Sequence, residues 1–68
     1  MDIETVKAKR DQYIRKGKEA LDCACNYLHK NVEVWDSTHE IEWRNMVHAA
    51  EVFLTKALAL DEIAGAVA

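Results

Sequence analysis

Proline is absent from this sequence, and its only glycines are Gly17 and Gly65. Chains built from strands turn on such residues, so their scarcity argues against a sheet protein. No uncharged apolar run reaches the roughly 20 residues that span a bilayer, because Glu51, Lys56, Asp61 and Glu62 interrupt the second half. The start, Met1-Asp2-Ile3-Glu4-Thr5, carries acids where an export leader needs bases followed by an apolar stretch. The expectation is a soluble, cytoplasmic protein with no membrane partner. The two cysteines, Cys23 and Cys25, lie two apart on an expected helix and point in different directions, so they read as free thiols.

What is present is the vocabulary of helices. Half of the 68 residues are hydrophobic and 31% are charged, a balance that belongs to folded proteins rather than to disordered ones. The net charge of −3 conceals a split. Residues 1–30 carry seven bases and five acids, a surplus of +2; residues 31–68 carry two bases and seven acids, a deficit of −5. Two antiparallel helices of opposite charge would attract each other.

Ile3, Val6, Tyr13, Ile14, Gly17, Ala20, Leu21, Ala24, Tyr27 and Leu28 recur at helical spacing and predict helix one over about 3–30. Residues 31–36 form the connection, where Val32 and Val34 replace better helix formers. Ser37-Thr38-His39-Glu40 has the pattern of a capping box and predicts that helix two starts at Ser37 and runs to about 65. From Trp43 a heptad frame places Met46, Ala50, Phe53, Ala57, Leu60, Ala64 and Val67 in one seam. Ile41, Val52, Leu58 and Ile63 fall outside it, so the apolar surface of helix two is wider than one neighbour can cover. The expected architecture is a single all-α domain, an antiparallel helical hairpin that dimerises into a four-helix bundle. Met46, Ala50, Phe53, Ala57, Leu60 and Ala64 are the candidate dimer interface.

Chemistry-bearing patterns are sparse. There is no phosphate-binding glycine loop, nucleophile elbow or HExxH pair, so no enzyme, cofactor or small-molecule substrate is expected. Cys25 and His29 at i,i+4, facing His39 and Glu42 at i,i+3, are the one cluster with metal-ligand chemistry, but the spacing matches no tight zinc signature and no metal is expected. His29 serves equally well as a cation at a helix C-terminus.

The basic segment offers Lys7, Lys9, Arg15, Lys16 and Lys18 as candidate nucleic-acid contacts. Helical spacing divides them, with Lys7, Arg15 and Lys18 on one flank of the apolar stripe and Lys9 and Lys16 on the other. Arg10 lies inside the stripe, where an antiparallel partner brings Asp61 within about a turn; the alternative is that Arg10 reaches an outside phosphate or carboxylate. Val32, Val34 and Trp35 form an apolar tip that is a candidate partner-binding site. Alternatively, Trp35 folds back over the helix ends near Leu28 and Ile41. The functional expectation is a non-catalytic protein–protein interaction module, a small regulator, adaptor or inhibitor that pairs with itself and with a larger protein. The alternative is a nucleic-acid-binding regulator that uses the basic segment.

Overall fold

The computed structural model describes residues 2–67, the side chain of Val67 excepted. Two helices account for nearly all of it: α1, Ile3–Asn31, and α2, Ser37–Val67, joined by a 3-10 turn at Val32–Val34. They pack antiparallel as a hairpin, with no strand among the described residues. None of the described helices is long and apolar enough to cross a membrane. Val67 closes the predicted heptad seam, but its side chain lies outside the described residues.

Asp2 starts α1 by accepting from the Glu4 amide at 3.2 Å and the Thr5 hydroxyl at 3.1 Å, which satisfies groups that a helix start leaves orphaned. Glu4 in the first turn and His29 and Lys30 in the last complement the helix dipole. At the far end, the Asn31 side-chain amide donates to the Tyr27 carbonyl at 2.9 Å and closes the helix.

The start of α2 differs from the expected capping box by one residue. Asp36 is the cap: its carboxylate accepts from the His39 amide at 3.0 Å, and its carbonyl accepts from the Glu40 amide at 3.0 Å. His39 answers with Nδ1, which stands 2.9 Å from the same Asp36 carboxylate oxygen and 3.3 Å from the Asp36 amide nitrogen. The reciprocal pair is therefore Asp36 with His39, in place of Ser37 with Glu40. A carboxylate is a stronger acceptor than a hydroxyl and also complements the positive helix start.

Six small or short residues line the contact between the helices: Val6, Gly17 and Ala24 on α1 and Ala50, Ala57 and Ala64 on α2. The α2 alanines recur every seven residues, and Ala50 is 0% exposed. Without long side chains between them the backbones approach closely, as a seven-residue repeat allows. The approach is tight at Gly17, where an added Cβ would stand 2.7 Å from both Cγ and Cδ2 of Leu54. Ala50, Ala57 and Ala64, expected to meet a second copy, are instead covered by α1 of the same chain. Met46, Phe53 and Leu60, which share that seam, are half-buried.

Close approach leaves little interior. No large side chain is fully buried among the described residues, and the molecule measures 49 × 15 × 12 Å between Cα atoms. Its radius of gyration, 15.4 Å, exceeds the roughly 11 Å expected of a spherical domain of this length.

Gly17→Ala should lower the unfolding midpoint, because overpacking against Leu54 costs about 1 to 3 kcal/mol and outweighs the gain in helix propensity. Gly65, with nothing within 4 Å of an added Cβ, should tolerate alanine or gain up to about 1 kcal/mol. Equal midpoints for the two variants in urea would reject the close contact.

Candidate interaction surfaces

The connection is tied down by aromatic rings from both helices. Trp35 stacks on His39 at 5.5 Å between centroids, meets Tyr27 edge-on at 5.8 Å and meets Trp43 edge-on at 6.4 Å. Such pairs add to what simple burial of their area provides. The Trp35 indole donates to Glu40 at 2.9 Å, and the other oxygen of Glu40 accepts from Arg44 Nε at 3.0 Å. The Tyr27 hydroxyl donates to Glu42. Trp35 thus folds back, as one of the two sequence expectations had it, but onto Tyr27, His39 and Trp43. Leu28 and Ile41, the neighbours expected for it, remain exposed. Of the proposed apolar tip, Val32 and Val34 stay open at 59% and 65% exposure.

These bonds set the titration of the tip. The bond from the Trp35 indole, then that from Arg44, holds the Glu40 carboxyl below its usual range. The His39 amide does the same for Asp36. Accepting the phenol proton at Glu42 favours neutral Tyr27, whose pKa is pushed up to about 12.

One flank of the hairpin forms an aliphatic face. An open groove of about 380 Å³ is lined there by Arg10, Asp11, Ile14, Leu54, Ala57, Leu58 and Asp61. Seven-residue spacing continues the face through Leu21 and Leu28 on α1 and Val47 on α2. Leu21, Leu28 and Leu58 are exposed, Leu58 to 61%. Arg10 bridges the helices across the groove, donating from a terminal nitrogen to Asp61 at 2.9 Å and from Nε to Asp11 at 3.1 Å. The Arg10–Asp61 pair expected from the sequence is therefore formed, with the arginine side chain 24% and the aspartate 60% exposed. The charged groups of the groove satisfy one another.

The opposite flank carries rings and lysines. Tyr13 stacks on Phe53 at 6.2 Å, with Lys9 and Lys56 beside the Tyr13 ring and Lys16 beside that of Phe53. The five basic candidates accordingly do not gather: Lys9 and Lys16 join this flank, while Lys7, Arg15 and Lys18 are exposed elsewhere on α1. Lys56, on α2, was not among them; its position three residues after Phe53, on the same side of the helix, was the available signal. The metal-ligand set is not assembled either. Cys25 and His29 are exposed on α1, His39 is paired with Asp36 and Glu42 with Tyr27. Among the described residues no three such groups could hold one ion.

No family model matches the chain, and neither a curated protein nor a solved structure matches it.

Two pH effects follow from the tip. Asp36 and Glu40 titrate lower in the folded chain than unfolded, so their contribution is present above the ordinary carboxylate range and lost as pH falls through it. The thermal midpoint should drop on acidification, and Asp36→Asn with Glu40→Gln should flatten that drop; an unchanged slope would reject both bonds. Tyr27 has the opposite sign, its contribution being complete below pH 10 and lost as pH rises towards about 12. The tyrosine absorbance titration should show a late component that Glu42→Gln removes.

Proposed function

We propose that this chain is a non-catalytic protein–protein interaction module, a helical-hairpin homodimer that acts as a small regulator, adaptor or inhibitor of a larger protein. The observation that carries this reading is the aliphatic face of Ile14, Leu21, Leu28, Val47, Leu54 and Leu58. It runs along both helices and is left open by the single chain.

The amount of surface argues for a second copy as its cover. A compact monomer of 7.8 kDa exposes about 4,400 Å²; this chain exposes 5029 Å². The excess of about 650 Å² is close to the roughly 800 Å² that each partner gives to a standard interface. Two-fold pairing places the same patch against itself, and an aliphatic patch whose one arginine is shared by two aspartates keeps a net charge of only −1 to oppose self-pairing. Four helices then enclose the core that two cannot. Covering this face leaves Val32 and Val34 at the tip and Ile41, Val52 and Ile63 on the outer side of α2 exposed for a larger partner.

The charged groups nearest the groove support a non-catalytic role. A catalytic carboxylate or guanidinium is aimed at a substrate, whereas Arg10 is engaged by Asp11 and Asp61 together.

Sedimentation tests the pairing. At tens of micromolar the chain should sediment as a dimer, and Leu21→Lys or Leu58→Lys should give folded monomers or lose helicity together with association. A folded wild-type monomer at high micromolar concentration would reject the homodimer. Dimers that survive both lysine variants but dissociate with Ile41→Lys and Ile63→Lys would move the interface to the outer side of α2.

A further inference from the structure

The flank opposite the aliphatic groove brings three ammonium groups to one pair of rings. Tyr13 and Phe53, one from each helix, stack with centroids 6.2 Å apart and planes inclined by 24°. Lys9 Nζ lies 5.9 Å and Lys56 Nζ 5.4 Å from the Tyr13 centroid, and Lys16 Nζ lies 5.8 Å from that of Phe53. Among the described residues none of the three is ion-paired. The arginines Arg10 and Arg44, in contrast, are held by carboxylates. A local concentration of three unpaired positive charges on a chain of net charge −3 is not a consequence of overall basicity.

We propose that this face binds single-stranded nucleic acid, with Lys9, Lys16 and Lys56 on successive phosphates and the Tyr13–Phe53 pair as the platform for a base. The ammonium groups repel one another and are held only by weak attraction to the rings. Moving onto phosphates neutralises them and uncovers the ring faces in the same step. A single strand supplies both phosphates and flat bases, the pairing that sequence-tolerant strand binders use. A duplex is a poorer fit, because its width would carry phosphates over the outer side of α2, where Glu62 is exposed. An acidic peptide offers carboxylates but nothing to stack on the rings.

Helical spacing puts Lys9 and Lys16 about 10 Å apart along α1, with Lys56 facing them from α2, so the patch spans a few nucleotides. It shares no residue with the groove assigned to the second copy. Pairing through the aliphatic face therefore leaves it open, and its test is independent of the dimer.

The experiment is fluorescence anisotropy of a labelled oligouridine of about 12 nucleotides, within the span of such sites, titrated with the full chain between about 50 and 200 mM salt. Affinity should fall as salt rises. Lys9→Gln, Lys16→Gln and Lys56→Gln should each weaken binding and remove about 0.7 from the slope of log K against log salt, the value for one phosphate contact on a single strand. Lys7→Gln and Lys18→Gln, on the other flank, should bind as wild type. Phe53→Leu should lose about tenfold or more in affinity with the salt slope unchanged. If Phe53→Leu fails to fold by circular dichroism, the surface lysine variants alone decide. Absence of salt-dependent binding at the low-salt end would overturn the proposal and leave the lysine stems as covers for the rings. Equal weakening by the Lys7 and Lys18 variants would overturn it as well. So would displacement of the strand by polyglutamate as effectively as by unlabelled oligouridine.

Discussion

The close contact of two helices through glycine and alanine governs everything else in this molecule. Gly17 beneath Leu54, and Ala50, Ala57 and Ala64 against α1, let the backbones meet with nothing large between them. The larger apolar side chains are thereby displaced to the two flanks. Leucines and isoleucine collect on one, tyrosine and phenylalanine on the other, and neither flank is closed by the hairpin itself. A seam of longer side chains would have buried more within one chain and left less to offer outside it. Both proposed surfaces are thus consequences of choosing small residues for the centre.

The charge split between the halves works differently from a simple attraction of opposite helices. Of the ion pairs among the described residues, Arg10–Asp61 crosses between the helices; the others stay within α1, within α2 or at its cap. Lys9, Lys16 and Lys56 lie beside aromatic rings rather than carboxylates. An exposed surface pair contributes little in water, so the surplus on α1 matters less for holding the hairpin than for shaping what the outer face meets.

Helix periodicity made much of the fold legible in the sequence. The stripe from Ile3 to Leu28 and the heptads from Trp43 predict both helices to within a few residues, and antiparallel registration alone brings Arg10 to Asp61. What the pattern could not supply was which side of the seam each chain uses. A heptad of alanines suits a neighbour in the same chain as well as one in another, and only the short connection, closing the hairpin tightly, gives those alanines to α1. The cap slipped for a local reason: Asp36 and Ser37 are both good caps, and His39 takes the place of the usual glutamate by returning its ring nitrogen to Asp36. That frees Glu40 to bind Trp35 and Arg44, which turns a residue expected at the helix start into the anchor of the aromatic tip. Lys56 lies outside the basic segment, and the face it completes is shared by two helices, so the charge pattern of α1 alone does not contain it.

The same geometry couples folding to association. With alanines and Val6 as its buried apolar residues, the isolated hairpin has little hydrophobic area to set against the chain entropy of ordering two long helices. The aromatic tip opposes this at one end by fixing the connection, through contacts close in sequence that form at small entropic cost. At the other end the antiparallel helices are joined by Arg10 and Asp61 across an open groove. Burial of that groove by a second copy would add the missing apolar area where the single chain is weakest, and by mass action would stabilise the fold in proportion to concentration. Residues that look redundant in one chain, Leu21, Leu28 and Leu58 among them, then have a physical reason to be apolar and exposed.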